Sequence, residues 1–256
     1  MGEMRVRIKY AKQGLMKYIG HLDMMRAFQK QLRRSAVDVV FTEGFSPHMS
    51  MSYAFPLGVG MTSDSEYVDV DLNLSGSGRE LTARLNETSP EGVHFLDARS
   101  IPLGKANKGM ALVAAADYTL TLRELDSAPS DWKGRLKEWL SGEQILVKKK
   151  TKKSEREINI RPLIYKAEID PAPRIIQGIA DDAPAAERRG DLYLQLSAGS
   201  EDNLRPDLCM EAFFRDQGWD YHAGIFLLNR DEVYAQKMEE GGGRFVPLIA
   251  LGEEIL

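Results

Sequence analysis

Two short polar motifs, Gly20-His21-Leu22-Asp23 and Gly44-Phe45-Ser46-Pro47-His48, hold the side chains best suited to chemistry in this chain. His21 stands at the start of an apolar-periodic stretch, and Asp23 follows two residues later, near the positive end of the helix dipole that stretch would create. Imidazole changes charge near neutral pH, so His21 with Asp23, or His48 with neighbouring hydroxyls, suits phosphate binding or general acid–base work. The candidate catalytic residues are therefore His21, Asp23 and His48. Phe45, Ser46, His48, Ser50 and Tyr53 are candidates to line a loop pocket. The competing reading is that His21 caps or packs under its helix and His48 braces its loop.

Asp69 and Asp71 alternate with Val68 and Val70, so both point to one face of a strand. They are open to two readings, a carboxylate pair for metal or proton transfer or an exposed polar strand face. Cys209 lies in the apolar run LCMEAFF and reads as a small buried residue rather than a nucleophile. As the single cysteine, it excludes a disulfide framework and any cysteine-built zinc or iron–sulfur site within the chain. The four histidines have no metal-ligand spacing, and no Walker, GxGxxG, HExxH or GxSxG sequence occurs. No cofactor or metal is expected.

The charge is segregated. Residues 1–36 hold nine Lys/Arg against two acids and residues 148–166 hold eight against two, so the other 201 residues carry −17 of a net charge of −4. Basic clusters on an acidic background suit a surface that tracks phosphates, although each run also reads as a solvated face. Candidate nucleic-acid-binding residues are Lys17, Arg26, Lys30, Arg33 and Arg34 in the first run. In the second they are Lys148, Lys149, Lys150, Lys152, Lys153, Arg156 and Arg161. The polar face of the first strand is basic as well, and Tyr10, Tyr18 and Phe45 are interleaved where they could stack on unpaired bases.

These groups must be positioned by an α+β fold. Arg5–Tyr10 alternates as a strand, residues 21–34 form an amphipathic helix, and Val37–Thr42 reads as a short strand before the loop 43–60. Ser65–Leu72, residues 75–87 and Val93–Ala98 then read as strand, helix and strand. The second half repeats the order. It has a strand at 117–124, a helix at 130–140, a basic hairpin at 145–160, a connection at 171–190, a strand at 192–197, a helix at 206–217 and a strand at 220–228. Two β-α-β-β-α-β halves with antiparallel sheets, ferredoxin-like in order, are expected at 1–104 and 110–230, with a tail at 231–256. No apolar run approaches a membrane span, and the N-terminus lacks an h-region and, at Val6, breaks the myristoylation pattern. A cytoplasmic location is expected.

KYIGHLDMMRAFQKQLRR, EGFSPHMSMSYAFPLGVG, EYVDVDL and KKKTKKSEREINIRPLI together resemble the radical-SAM-linked protein family. This is a bacterial domain of unknown function found C-terminal to radical S-adenosylmethionine modules or freestanding, and the similarity spans residues 4–230. The resemblance implies no assigned catalytic residues. The radical chemistry belongs to the fused module, which holds its cluster on three cysteines that this chain lacks. The function expected is a non-catalytic RNA-binding or substrate-presenting accessory, acting on tRNA or rRNA with a separate radical SAM enzyme. The alternatives are a metal-independent RNA-processing enzyme using His21, and a protein–protein adaptor.

Overall fold

The structure, a computed structural model, describes residues 3–123, 128–150, 155–176, 186–200, 202–239 and 242–256. It is a mixed α+β fold built on one large, mostly antiparallel sheet with few helices. In chain order the first part runs β1 (Met4–Lys12), α1 (His21–Arg34), β2 (Met51–Tyr53), β3 (Thr62–Leu72), α2 (Gly78–Glu87), β4 (Val93–Ile101) and the single turn α3 (Gly109–Leu112). There follow β5 (Val113–Leu122), α4 (Trp132–Ser141), β6 (Leu146–Lys150), β7 (Glu155–Asn159), β8 (Ile164–Ile169), β9 (Arg174–Ile176), β10 (Ala186–Arg188) and β11 (Leu192–Ser197). The chain closes with α5 (Pro206–Asp216), β12 (Phe226–Glu239), β13 (Gly242–Pro247) and β14 (Glu253–Glu254).

In the first half the strands lie in the order β4-β1-β3-β2, every neighbour antiparallel. In the second the order is β12-β5-β11-β8, again antiparallel throughout. The two groups are not separate sheets. Thr62 and Ser63 of β3 pair in parallel with Asn229 and Arg230 of β12, which joins them into one ten-stranded sheet.

Several elements differ from the sequence expectation, each for a local reason. Val37–Thr42 is not a strand, because its only ladder contacts are isolated bridges of Val39 to Leu72 and Phe41 to Met49. The second strand of the first half is β2, inside the stretch that reads as loop. In the second half the corresponding strand is β8. The basic hairpin β6-β7 forms as expected but makes its own two-stranded sheet. The last strand starts after the turn at 222–225 and continues to Glu239. Residues 231–256, which read as a tail, are therefore integral: β13 pairs with β12, β14 pairs with the edge of β4, and Leu248 is fully buried.

Alternation along the strands separates two faces. Val6, Ile8 and Tyr10 of β1 pack with Val68, Val70, Leu72 and Phe95 beneath α1 and α2. Ala116, Tyr118 and Leu120 of β5 pack with Leu192, Leu194 and Leu196 beneath Trp132, Leu136 and Phe213 of α4 and α5. Both helix layers cover the same side. On the helix side, Arg230 of β12 donates to Glu66 of β3. On the opposite side, Glu232 of β12 accepts from Lys9 Nζ at 2.8 Å and from the Tyr67 hydroxyl at 2.7 Å. The side away from the helices is the open face. Its outer part is crossed by residues 104–112 and by the 3-10 turn Leu248–Leu251.

Candidate nucleic-acid interface

α1 forms because residues 21–34 contain no Gly or Pro and repeat apolar groups at helical spacing. Met24, Phe28 and Leu32 go down onto the sheet with Gln31, and Tyr10, Phe28 and Phe95 meet ring to ring. Arg26, Lys30, Arg33 and Arg34 consequently fall on one outward stripe and are exposed. Arg33 and Arg34 also suit the negative end of the helix dipole. The helix stops in a complete Schellman turn, with Ala36 N–H bonded to Arg33 O at 3.2 Å and Val37 N–H to Leu32 O at 3.1 Å. Among the described residues Arg26 has an ion partner, an exposed Asp23 at 3.1 Å, whereas Lys30, Arg33 and Arg34 have none.

At the N-terminal end of α1, the Lys17 ammonium sits 5.2 Å from the ring centre of an exposed Tyr18. Leu15, Leu22 and Val59 are exposed around them, and Gly60 N–H bonds to Lys17 O at 2.8 Å. At the other end, where Asn73 just past β3 and Asp38 just past α1 meet, the loop from Phe41 to Met49 carries Phe45 fully exposed. Arg26 and Arg34 are eight residue steps apart, so the cationic stripe covers about 12 Å of the helix, with exposed Tyr18 before the helix and exposed Phe45 in the loop after it.

His21, the first residue of α1, lies edge-on to Tyr53 with ring centres 5.0 Å apart, and the Tyr53 hydroxyl is buried without a partner. Burial raises the Tyr53 hydroxyl well above the ordinary phenol range. His48 is exposed, with Nδ1 3.0 Å from the Thr42 hydroxyl. Ser46 is exposed as well, whereas Ser50 donates to Asp71 at 2.5 Å. Phe45, Ser46, His48, Ser50 and Tyr53 thus do not converge on one pocket, and the two imidazoles share no partner. Lys148 is exposed opposite Glu157 in the β6-β7 hairpin. Arg161 is turned inward, donating to the carbonyls of Leu140 and Ile164. Lys152 and Lys153 lie outside the described residues, as do the side chains of Lys149, Lys150 and Arg156.

Arg5 and Arg7, on the basic face of the first strand, do not form a binding surface. Arg7 makes two bonds to Asp69, at 2.8 and 3.0 Å, and Arg5 makes two to Asp71, at 2.6 and 3.0 Å, with all four residues buried. Each carboxylate is the cross-strand partner of its arginine in the β1-β3 register, which answers the Asp69/Asp71 question with neither expected reading. Hydrogen bonds from Arg5 and Ser50 hold the Asp71 carboxyl below its usual range against the opposing effect of burial. Tyr10 is likewise buried, and Cys209 is a core residue whose thiol burial pushes up to about 12.

A second polar cluster, missed in the sequence, lies on the open face where the half-sheets meet. Lys9, Asp64, Arg174, Arg188, Asp231 and Glu232 line part of a groove of about 1100 Å³, whose remaining walls come from α2, with Arg79 and Asn86, and from β4, with Phe95 and Asp97. Arg174 and Arg188 are opposite residues of the β9-β10 hairpin, and they reach Asp231 at 2.7 and 3.7 Å. Arg188 also pairs with Asp64, and Arg174 stacks on Tyr193 at 4.4 Å. Asn229 donates to both Asp64, at 2.9 Å, and Asp231, at 2.7 Å. Burial, with Asp64 adding to it, pushes the Asp231 carboxyl up to about 6, against bonds from Thr119 and Asn229 and the charge of Arg174. Burial raises Asp64 too, opposed mainly by Arg188. No local pattern announces this cluster, because its members come from β1, β3, β12 and a connection that reads as featureless.

No helix among the described residues is long and apolar enough to cross a membrane, and those residues hold no metal-ligand cluster. Residues 5–206 match a family model described as an uncharacterized protein conserved in bacteria (DUF2344). No curated protein matches the chain.

Proposed function

We propose that this chain, which belongs to the bacterial family DUF2344, is a non-catalytic RNA-binding protein that presents tRNA or rRNA to a separate modifying enzyme in the cytoplasm. The observation that carries the reading is the outward stripe of Arg26, Lys30, Arg33 and Arg34, with exposed Tyr18 before the helix and exposed Phe45 in the loop after it. Cations there neutralise phosphates, and the rings offer stacking faces to unpaired bases. The partner, a radical SAM enzyme, is proposed from the sequence resemblance alone. The like strand orders β4-β1-β3-β2 and β12-β5-β11-β8 support reading the scaffold as two ferredoxin-like halves fused through β3 and β12.

The test is a gel shift of the full chain with total tRNA and rRNA fragments over a salt series. Five cations, Lys17 included, set an upper limit near −3.5 for the slope of log affinity against log salt on a single strand, at about −0.7 per phosphate. Arg33→Ala with Arg34→Ala lowers that slope by about 1.4, or about 25-fold in affinity at ~0.1 M salt. Absence of binding by the wild type at ~50 mM salt overturns the proposal. Exposed Leu15, Leu22 and Val59 beside Tyr18 favour a second reading, an adaptor that docks a protein. Capture of the purified enzyme without RNA, lost in Leu22→Asp, distinguishes it.

A further inference from the structure

We propose that the groove on the open face binds a zwitterionic ligand of the amino-acid or short-peptide class, its acid group on Arg174 and Arg188 and its ammonium group on Asp64 and Asp231. This site is separate from the α1 surface and does not depend on RNA binding.

Two kinds of charge pairing stand side by side on one face of the sheet. The Arg5–Asp71 and Arg7–Asp69 ladder is sealed from water, its spare guanidinium donors taken by the backbone carbonyls of Gly104, Asn107 and Leu248. A fold that needs only cross-strand pairing closes its charges in this way. At the junction the same kind of pairing is left open: the Arg174 and Arg188 side chains keep 42% and 21% of their exposure, and Lys9 keeps 20%. The groove runs directly over these groups.

Charge selects the ligand. At the junction the lining side chains include three positive ones, Lys9, Arg174 and Arg188, and three negative ones, Asp64, Asp231 and Glu232. A polyphosphate would meet the carboxylates and a polycation the guanidiniums, so neither finds a compensated seat. Within the balanced set the signs are ordered. The two arginines stand side by side on the hairpin, and a carboxylate can take bidentate bonds from their remaining N–H groups. Asp64 and Asp231 are held together by a shared amide donor and crowd each other's charge, which an arriving ammonium relieves. A groove of about 1100 Å³ holds more than one amino acid, so a tripeptide with free ends is the fitting probe.

The experiment is titration of the full chain with triglycine, followed by calorimetry and by amide NMR shifts. N-acetyl-triglycine amide, acetate and ethylammonium serve as controls. Saturable binding of triglycine is expected, with shifts confined to β9, β10, β12 and the start of β3. Loss of one charge-assisted contact in Arg174→Gln or Asp64→Asn weakens it about tenfold, with circular dichroism showing each variant folded. The wild-type shift map alone decides the matter if a variant fails to fold. No binding at about 10 mM triglycine overturns the proposal. So do equal responses to acetate or ethylammonium, shifts elsewhere on the surface, or binding indifferent to both substitutions.

Discussion

Asp69→Asn removes one charge from the most deeply buried ion pair among the described residues with almost no change of volume. The Arg7 side chain is 0% exposed and that of Asp69 1%, so the guanidinium left behind cannot recover water. Breaking a buried pair from one side costs about 3–5 kcal/mol, a fifth or more of the about 5–15 kcal/mol that stabilises an ordinary domain. The Asp69 carboxylate also accepts from Gly109 N–H at 2.6 Å, and Arg7 also holds the carbonyls of Asn107 and Leu248. Replacing both partners, Arg7→Met with Asp69→Leu, offers the 1–4 kcal/mol that hydrophobic isosteres can return, but it orphans three backbone groups at about 1–3 kcal/mol each. The double variant is therefore expected to remain less stable than wild type. Gly109 leaves no slack for rearrangement, since a Cβ there would stand 2.6 Å from Ala54 Cβ. Urea unfolding followed by circular dichroism gives the stabilities, and a gel shift under conditions where each variant is folded gives RNA affinity. A loss below about 1 kcal/mol in Asp69→Asn refutes the sealed-ladder argument. RNA affinity falling in folded Arg7→Met as far as in the α1 variants refutes the separation of this face from the interface.

Ala36 occupies the left-handed position that ends α1, with φ of 49°, where a Cβ is strained. Ala36→Gly should keep the Schellman bonds and stabilise by about 0.5–1 kcal/mol, read as a raised urea midpoint; an unchanged or lowered midpoint contradicts the strain. Asp231, pushed up to about 6, holds its proton more tightly in the folded chain than in the unfolded one. Its contribution is therefore fully present below the unfolded value and lost as pH rises through 6, a change of about 3 kcal/mol. The stability difference between wild type and Asp231→Asn should shrink by that order between about pH 4 and pH 7. A difference that stays constant or grows with pH removes the buried-carboxylate assignment.

Periodicity made α1, α2, α4, α5 and most long strands legible, because each has one face that must be buried and a side-chain spacing that shows it. It failed where pairing rather than patterning decides. Met51–Tyr53 is too short to alternate convincingly, and it becomes a strand only because β3 presents Val68–Val70 as a template. Ile164–Ile169 was hidden by the more conspicuous hairpin before it. The last 26 residues look detached in sequence because a glycine run at 241–243 interrupts them, yet β12 and β14 pair with strands more than a hundred residues away. His21 and Asp23 are placed as their spacing implies, at the first turn of a helix. The junction groove had no such signal, since Asp64, Arg188 and Asp231 acquire meaning only together.

The net positive charge of the first 36 residues has to be divided before it can be interpreted. Arg5, Arg7 and Lys9 are spent on Asp71, Asp69 and Glu232. Lys12 is buried, its ammonium donating to Ile19 O at 2.7 Å, and burial draws its pKa down. What is left is Lys17 and the four cations of the α1 stripe. Alternation and burial alone explain why: β1 is central, with β3 and β4 on either side, so every cation on it must be paired internally. α1 covers the sheet from outside, and its cations stay in water. A basic run in sequence therefore marks an interface only where the element carrying it has a solvent side. By that criterion α1 qualifies and β1 does not, although β1 carries four of the nine cations.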